Sequence, residues 1–253
     1  MEDLSGKVAL VTGAGQGLGT GISLALAKAG ADVALVGRTR SKLEETADAI
    51  AAVGGRSFVV PGDVTDRASV DAVVEAITRE RGPVWALVNG AVSYQTGPIE
   101  EVRDEHLDEA IRSGIYGSFY MMQACLPSMK TAGGRIMNFG SGAGTMGMAA
   151  HLSYNITKEG IRALTKTAAT EWGRWAITVN TICPIASTPL YDRWWTSLND
   201  ADKQAHLDSI PLGRMGDAEK DIGALVVFLA GPGGGYITGR TLHIDGGKAF
   251  YDR

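Results

Sequence analysis

Cysteine is scarce in this chain: among 253 residues only Cys125 and Cys183 occur, in neither a CxxC pair nor a Cys/His cluster. That argues against a disulfide scaffold and the common zinc sites, and it predicts two buried free thiols and no bound metal. Long apolar runs are also missing, since no stretch of eighteen such residues occurs, so no membrane-spanning helix is expected. The opening MEDLSGK carries acidic residues where a secretory leader needs basic ones, and a cytoplasmic protein is expected. An excess of positive charge is lacking too. The net charge is -4 and the pI near 5.6, so phosphate backbones and anionic lipid surfaces are not attracted. Neither nucleic acid nor membrane is an expected partner. With no repeats, low-complexity tracts or abrupt changes of composition, residues 1–253 read as one domain.

What is present is an ordinary balance of 45% hydrophobic and 21% charged residues, enough to build a core. Short runs rich in Val, Ile and Leu predict strands at 7–12, 32–37, 56–60, 84–88, 134–139, 176–182 and 241–244. Helical periods lie between them at 18–29, 40–53, 66–81, 101–112, 116–131, 153–174 and 217–230. Strand and crossover helix alternate, as in a parallel sheet covered on both faces. The expected fold is therefore α/β, a Rossmann-like doubly wound sheet of about seven strands, whose ligands collect beyond the carboxyl ends of the strands. One excursion, about 189–212, interrupts the alternation with Tyr191, Trp194 and Trp195 among polar residues. It reads as two short helices forming a lid, or as a surface excursion packing its aromatics on the core.

Directly after the first strand comes Thr12-Gly13-Ala14-Gly15-Gln16-Gly17-Leu18-Gly19, and a helix pattern follows at once. Glycines there let the backbone turn sharply and approach a pyrophosphate, which the helix N-terminus attracts. Gly13, Gln16, Gly17, Leu18 and Gly19 are thus candidate dinucleotide contacts. At the end of the second strand, where NAD-preferring sites place a carboxylate, the chain reads Gly37-Arg38-Thr39-Arg40. Two guanidinium groups there favour a 2′-phosphate and hence NADP(H); the alternative is that both are merely solvated charges. Asp63 and Val64 follow the third strand, where adenine would lie, and Asn89-Gly90-Ala91 follows the fourth, near the second ribose.

Tyr154 and Lys158 are four apart and share one face of a predicted helix. A phenol is a poor base at neutral pH, and a neighbouring ammonium is expected to lower its pKa enough for proton exchange with an alcohol or carbonyl oxygen. Ser141, thirteen residues before Tyr154, stands where it could hydrogen-bond that same oxygen.

With these pieces in order, the sequence resembles the short-chain dehydrogenase/reductase family over nearly its whole length. The matching pieces are TGAGQGLG at 12–19, GDV at 62–64, Asn89 with Ala91, GRIMNFGS at 134–141, YNITK at 154–158, ITVNTICP at 177–184, Thr188-Pro189 and ITGRTLHIDGG at 237–247. The resemblance implies Tyr154 as catalytic acid/base, Lys158 on the nicotinamide ribose and beside the tyrosine, and Ser141 orienting the substrate. It also implies Thr188 on the nicotinamide carboxamide, and a homo-oligomer, tetramer or dimer. Three departures stand out. The fourth-helix Asn that anchors a relay water in the family is Gly114 here; the usual NNAG is Asn89-Gly90-Ala91-Val92; and Pro184-Ile185 replaces Pro-Gly, with the segment to Thr188 one residue short.

The residues together point to an oxidoreductase interconverting a ketone and a secondary alcohol with NADP(H). Val92, Met146, Met148, Leu152, Tyr191, Trp194 and Trp195 are candidate substrate walls suited to a bulky hydrophobic or aryl carbonyl compound, or else core and interface packing. Gly114 motivates a second reading, a dinucleotide-binding sensor or scaffold without turnover.

Overall fold

Val, Ile, Leu and Ala dominate the expected strands, and in the computed structural model, which describes residues 2–249, those segments form one parallel sheet. Its strands are β1 (Val8–Thr12), β2 (Asp32–Gly37), β3 (Arg56–Pro61), β4 (Val84–Asn89), β5 (Gly134–Phe139), β6 (Ile177–Pro184) and β7 (Thr241–Ile244). They lie in the order β3-β2-β1-β4-β5-β6-β7, so the winding reverses between β1 and β4. That Rossmann-like reversal opens a crevice at the carboxyl edge.

Helices cover both faces, and successive strand residues divide between them. On one face Ala9, Val11, Val33 and Leu35 meet α1 (Leu18–Lys28), α2 (Arg40–Ala52) and α10 (Ala224–Ala230) through Ile22, Leu26, Ile50 and Val226. On the other, Val8, Leu10, Ala34 and Val36 meet α3 (Arg67–Arg81), α5 (Gly117–Ala132) and α7 (Leu152–Trp172) through Val70, Ile77, Met121, Met129 and Ala168. Each fully buried Leu, Ile or Val contributes about 1.5–3 kcal/mol, and the interleaving fixes the register of every strand. Cys125 and Cys183 are both free and buried.

A polar chain runs through this core. Asn89 Nδ2 donates to Asn138 Oδ1 (2.8 Å), and Asn138 Nδ2 donates to Thr165 Oγ1 (3.0 Å), which Thr181 Oγ1 also meets at 2.9 Å. It links β4, β5, α7 and β6 just beneath the carboxyl edge.

The expected excursion at 189–212 does form two short helices, α8 (Pro189–Ser197) and α9 (Asp200–Asp208). Thr188 caps the first by accepting from Tyr191 N (3.2 Å), and Asn199 caps the second by accepting from Asp202 N (2.9 Å). Two local expectations fail. The glycine-rich loop after β5 contains a short helix, α6 (Gly142–Met146), which Ser141 opens by accepting from Ala143 N at 3.1 Å. The two helices expected at 101–112 and 116–131 are instead one helical path: α4 (Asp104–Ala110), a π-helical turn at Ile111–Tyr116 and α5.

Gly114 lies in that π turn, and its bareness has a steric cause. A Cβ there would collide with Thr157 Cγ2, and Thr157 is fully buried. Overpacking of this sort costs about 1–3 kcal/mol. Gly114→Ala is therefore expected to lower the thermal midpoint by roughly 2–4 °C for each kcal/mol lost. Thr157→Ser, which removes only the methyl, should recover most of that loss in the double variant; paired denaturant titrations of the four proteins measure the coupling.

Candidate active site

The glycine-rich turn brings β1 into α1 with almost no spare volume. Gly13 and Gly17 have φ of +71° and +57°, and a Cβ on Gly19 would strike the Gly13 carbonyl oxygen. The backbone is thus open to a close partner at the start of α1, as a pyrophosphate requires. Thr12 Oγ1 accepts from Gly90 N (3.1 Å) and Ala91 N (3.2 Å), which binds this turn to the end of β4 across the crevice. The residues fit a dinucleotide.

The adenosine end is more selective in its charges than the sequence suggests. Arg38 is exposed at the end of β2 and has no hydrogen bond or ion pair among the described residues. Arg40, the other guanidinium, turns to Glu44 at 3.7 Å. Lys42, in the first turn of α2, reaches the glycine-rich turn instead, donating from Nζ to Gln16 Oε1 at 2.8 Å. Asp63 Oδ1 accepts from both Thr65 N and Thr65 Oγ1 at 2.9 Å, while buried Val64 packs on the face of Gly117. Asn89 spends its amide on Asn138, and its buried Oδ1 has no partner among the described residues.

At the carboxyl ends of β4, β5 and β6, a cavity of about 240 Å³ is lined by Thr12, Gly90, Val92, Tyr154, Lys158 and Thr188. Tyr154 stands in the first turn of α7 and Lys158 one turn on. The lysine is buried, and its Nζ donates to the Phe139 carbonyl at 2.7 Å, two residues before Ser141. Loss of water pushes the Lys158 ammonium down to about 8, partly opposed by Cys183. The Tyr154 phenol is pushed up to about 12, again by burial, against a smaller opposing hydrogen bond from Ser141.

This corrects the expectation of a phenol made acidic by its neighbouring ammonium. Lys158 Nζ lies 5.3 Å from the Tyr154 ring centroid and is spent on a carbonyl, so desolvation outweighs it. Ser141, Tyr154 and Lys158 do converge. The protein surroundings alone keep the tyrosine a proton donor.

The candidate substrate walls separate. Val92 lines the cavity; Met146 and Met148, each 48% exposed, lie on the segment leading to α7, which begins at half-buried Leu152, and none of these three lines it. Tyr191, Trp194 and Trp195 instead gather around His206, with ring centroids 4.9–6.1 Å from it, and join α8 to α9. None of the three lines the cavity. Thr188 does, beside Ile185 and Met215 and within 3.6 Å of a Cβ position on Gly17, while its hydroxyl caps α8.

Sequence reasoning missed several neighbours. Tyr94 packs its ring on Tyr154 (centroids 4.2 Å apart), with His151 edge-on to Tyr154 at 6.3 Å. Met215 and Ile185 close the far wall, and Lys42 joins the glycine-rich turn. Only Lys42 carried a readable signal, as a third basic residue close behind Arg38 and Arg40.

Among the described residues, no three or more His, Cys, Asp or Glu side chains are grouped to hold a metal ion, and no helix is long and apolar enough to cross a membrane.

Comparison with known proteins agrees with this geometry. A family model described as enoyl-(acyl carrier protein) reductase matches residues 13–249. The chain is 38% identical to a 12alpha-hydroxysteroid dehydrogenase of Clostridium sp., covering 96% of each. It is 37% identical to the 3-oxoacyl-(acyl-carrier-protein) reductase FabG of Vibrio cholerae, covering 97% of this chain and 98% of that one. A crystal structure assigned as a short-chain alcohol dehydrogenase of Sinorhizobium meliloti superposes with a TM-score of 0.90 at 36% identity, covering 97% of both chains. Fold, motif order and whole-chain similarity lead to one conclusion: the chain belongs to the short-chain dehydrogenase/reductase family of enzymes.

Proposed function

We propose that this enzyme interconverts a ketone and a secondary alcohol with NADP(H), acting on a bulky hydrophobic or aryl carbonyl compound. The observation that carries the reading is that Tyr154 and Lys158 line one cavity reaching the glycine-rich turn, with Ser141, next to cavity-lining Gly140, hydrogen-bonded to the Tyr154 phenol. When bound, the nicotinamide supplies or accepts a hydride at the substrate carbon. Tyr154 Oη holds the proton that the substrate oxygen takes up or gives back. Ser141 Oγ donates to that oxygen as charge develops on it. Lys158, whose Nζ lies 5.3 Å from the Tyr154 ring centroid, would hold the nicotinamide ribose hydroxyls.

A phenol pushed up to about 12 is protonated at neutral pH, as a general acid for ketone reduction has to be. Arg38, unpaired at the end of β2, with Lys42 at Gln16, supports a 2′-phosphate and so NADP(H). The apolar character of Val92, Met146, Met148 and Leu152 supports a bulky substrate, and the similar proteins named for steroid and acyl substrates agree with it. The α8–α9 pair, held together by its aromatic cluster, serves as the lid of this single catalytic domain. Tyr116, Ile156, Phe228 and Tyr236, all exposed, suit a homo-oligomer, tetramer or dimer.

A panel of hydrophobic and aryl ketones run with NADPH and NADH tests the reading. NADPH consumption should fall by at least about 100-fold in Tyr154→Phe; tight dinucleotide binding with no turnover of any ketone would favour the sensor instead. Arg38→Asp should raise the NADPH KM by roughly 10- to 100-fold, the loss of one charge-assisted contact, with little effect on NADH. An unchanged NADPH KM would remove the 2′-phosphate assignment.

A further inference from the structure

The loop after β4 carries a side chain that the reaction above does not use. Tyr94 lies in it, half-buried, and its ring packs on that of Tyr154 with centroids 4.2 Å apart and planes inclined by 36°. His151 closes a three-ring group, 6.5 Å from Tyr94 and 6.3 Å from Tyr154. Its Nδ1 lies 2.8 Å from the Ala149 carbonyl, which fixes the imidazole edge-on to the phenol.

What sets this contact apart from incidental packing is how firmly the loop is held around it. On one side of Tyr94, Ser93 N donates to Ser113 Oγ (2.9 Å), and Ser93 Oγ donates to Glu109 Oε1 at 2.6 Å. The Ser113 hydroxyl in turn donates to the Glu109 carbonyl at 2.8 Å, so the tie ends in the π turn beside Gly114. On the other side, the Gln95 carbonyl accepts from Ser153 Oγ (3.3 Å), and Gly97 N donates to the Ala150 carbonyl (2.9 Å). Ala150 adopts φ of +60°, a left-handed conformation costly for alanine, to present that carbonyl. Four ties from two helices and the segment before α7 thus fix the residues flanking Tyr94.

We propose that Tyr94 is a positioning residue for Tyr154: held from both sides by its loop, its ring fixes the orientation of the Tyr154 ring and keeps water from the phenol. The proposal rests on reading Tyr154 as the proton-transfer residue.

The charged and titratable groups around Tyr154 give the contact its consequence. Lys158 approaches from α7, Cys183 from the end of β6, His151 from the segment before α7, and Tyr94 from the loop. Cys183 is itself faced by Arg162, Glu159 and Asp245. Burial, Tyr94 and Cys183 all disfavour the phenolate, and only the Ser141 hydrogen bond opposes them. Removing the Tyr94 ring readmits water to one side of the phenol. The acid form loses its advantage, and ionisation of Tyr154 moves to lower pH.

Two readouts test this on the full chain. In ultraviolet difference titration, the phenolate signal of Tyr154 is isolated by subtracting Tyr154→Phe, in the parent and again in the presence of Tyr94→Leu, over the pH range in which far-ultraviolet dichroism shows the fold intact. Tyr94→Leu should bring the signal about one pH unit lower, whereas Tyr94→Phe, which keeps the ring and loses only the Tyr94 hydroxyl and its charge, should move it much less. The rising limb of kcat/KM for alcohol oxidation with NADP+ should move the same way. Ser113→Ala, which loosens the loop without altering the ring, should shift both in the same direction by less, and it serves if Tyr94→Leu does not fold. A merely structural role would lower the thermal midpoint and leave these pH values in place, which would overturn the proposal. So would an equal shift in Tyr94→Phe. Absence of turnover in the parent would instead sink the catalytic reading of Tyr154, and the titration would still decide the contact.

Discussion

Covering a parallel sheet on both faces leaves polar chemistry almost nowhere to go but the edge where the strands end. Alternate residues of β1 and β2 are committed to opposite apolar clusters, so the functional groups are displaced to the turns that follow. Winding reverses between β1 and β4, and the turns there diverge instead of packing together. The crevice is a result of topology. Thr12 then draws its two sides into fixed relation by accepting from Gly90 N and Ala91 N.

Beneath that edge, the Asn89–Asn138–Thr165–Thr181 chain ties β4, β5 and β6 to α7. A buried polar network is tolerable only when nearly every member is paired, and here each joins elements that carry site residues. The position of Lys158 relative to Phe139 follows from the same packing, because α7 is anchored on β5 and β6 before its first turn reaches the cavity. Electrostatics in such a place follow water more than neighbours. Burial drives the Tyr154 phenol up to about 12 and the Lys158 ammonium down to about 8, so at neutral pH the phenol is uncharged while the lysine keeps most of its charge.

Much of this was legible in the residues, and the failures have physical causes. Strands, crossover helices and the glycine-rich turn depend on local periodicity and turn chemistry, which the sequence carries directly; the seven strands fall within two residues of their expected bounds. Continuity of the helix through Gly114 was not legible, because glycine reads as a helix breaker until the Thr157 methyl opposite it is known. Tyr94 obeyed no spacing rule, since a loop places its side chains through its ties, and those come from Ser113, Ser153 and Ala150 far along the chain. Size alone makes Trp194 and Trp195 candidate pocket walls, but apolar rings on two short helices first satisfy each other, here around His206. The direction of the tyrosine's shift was missed for a related reason: four-residue spacing reveals the cation, while burial is a property of the whole fold.

The π turn at Ile111–Tyr116 also works as a phase adjuster. An α-helix advances about 100° per residue, so one additional residue within a turn rotates everything after it by nearly a third of a revolution. Before the turn, α4 presents its face to α7; after it, α5 presents Met121, Met122, Cys125 and Met129 to the sheet. A uniform helix could not serve both neighbours from a sequence with this spacing. The segment is therefore intolerant of length change in a way that surface loops are not: losing one residue would turn the methionine row away from the sheet.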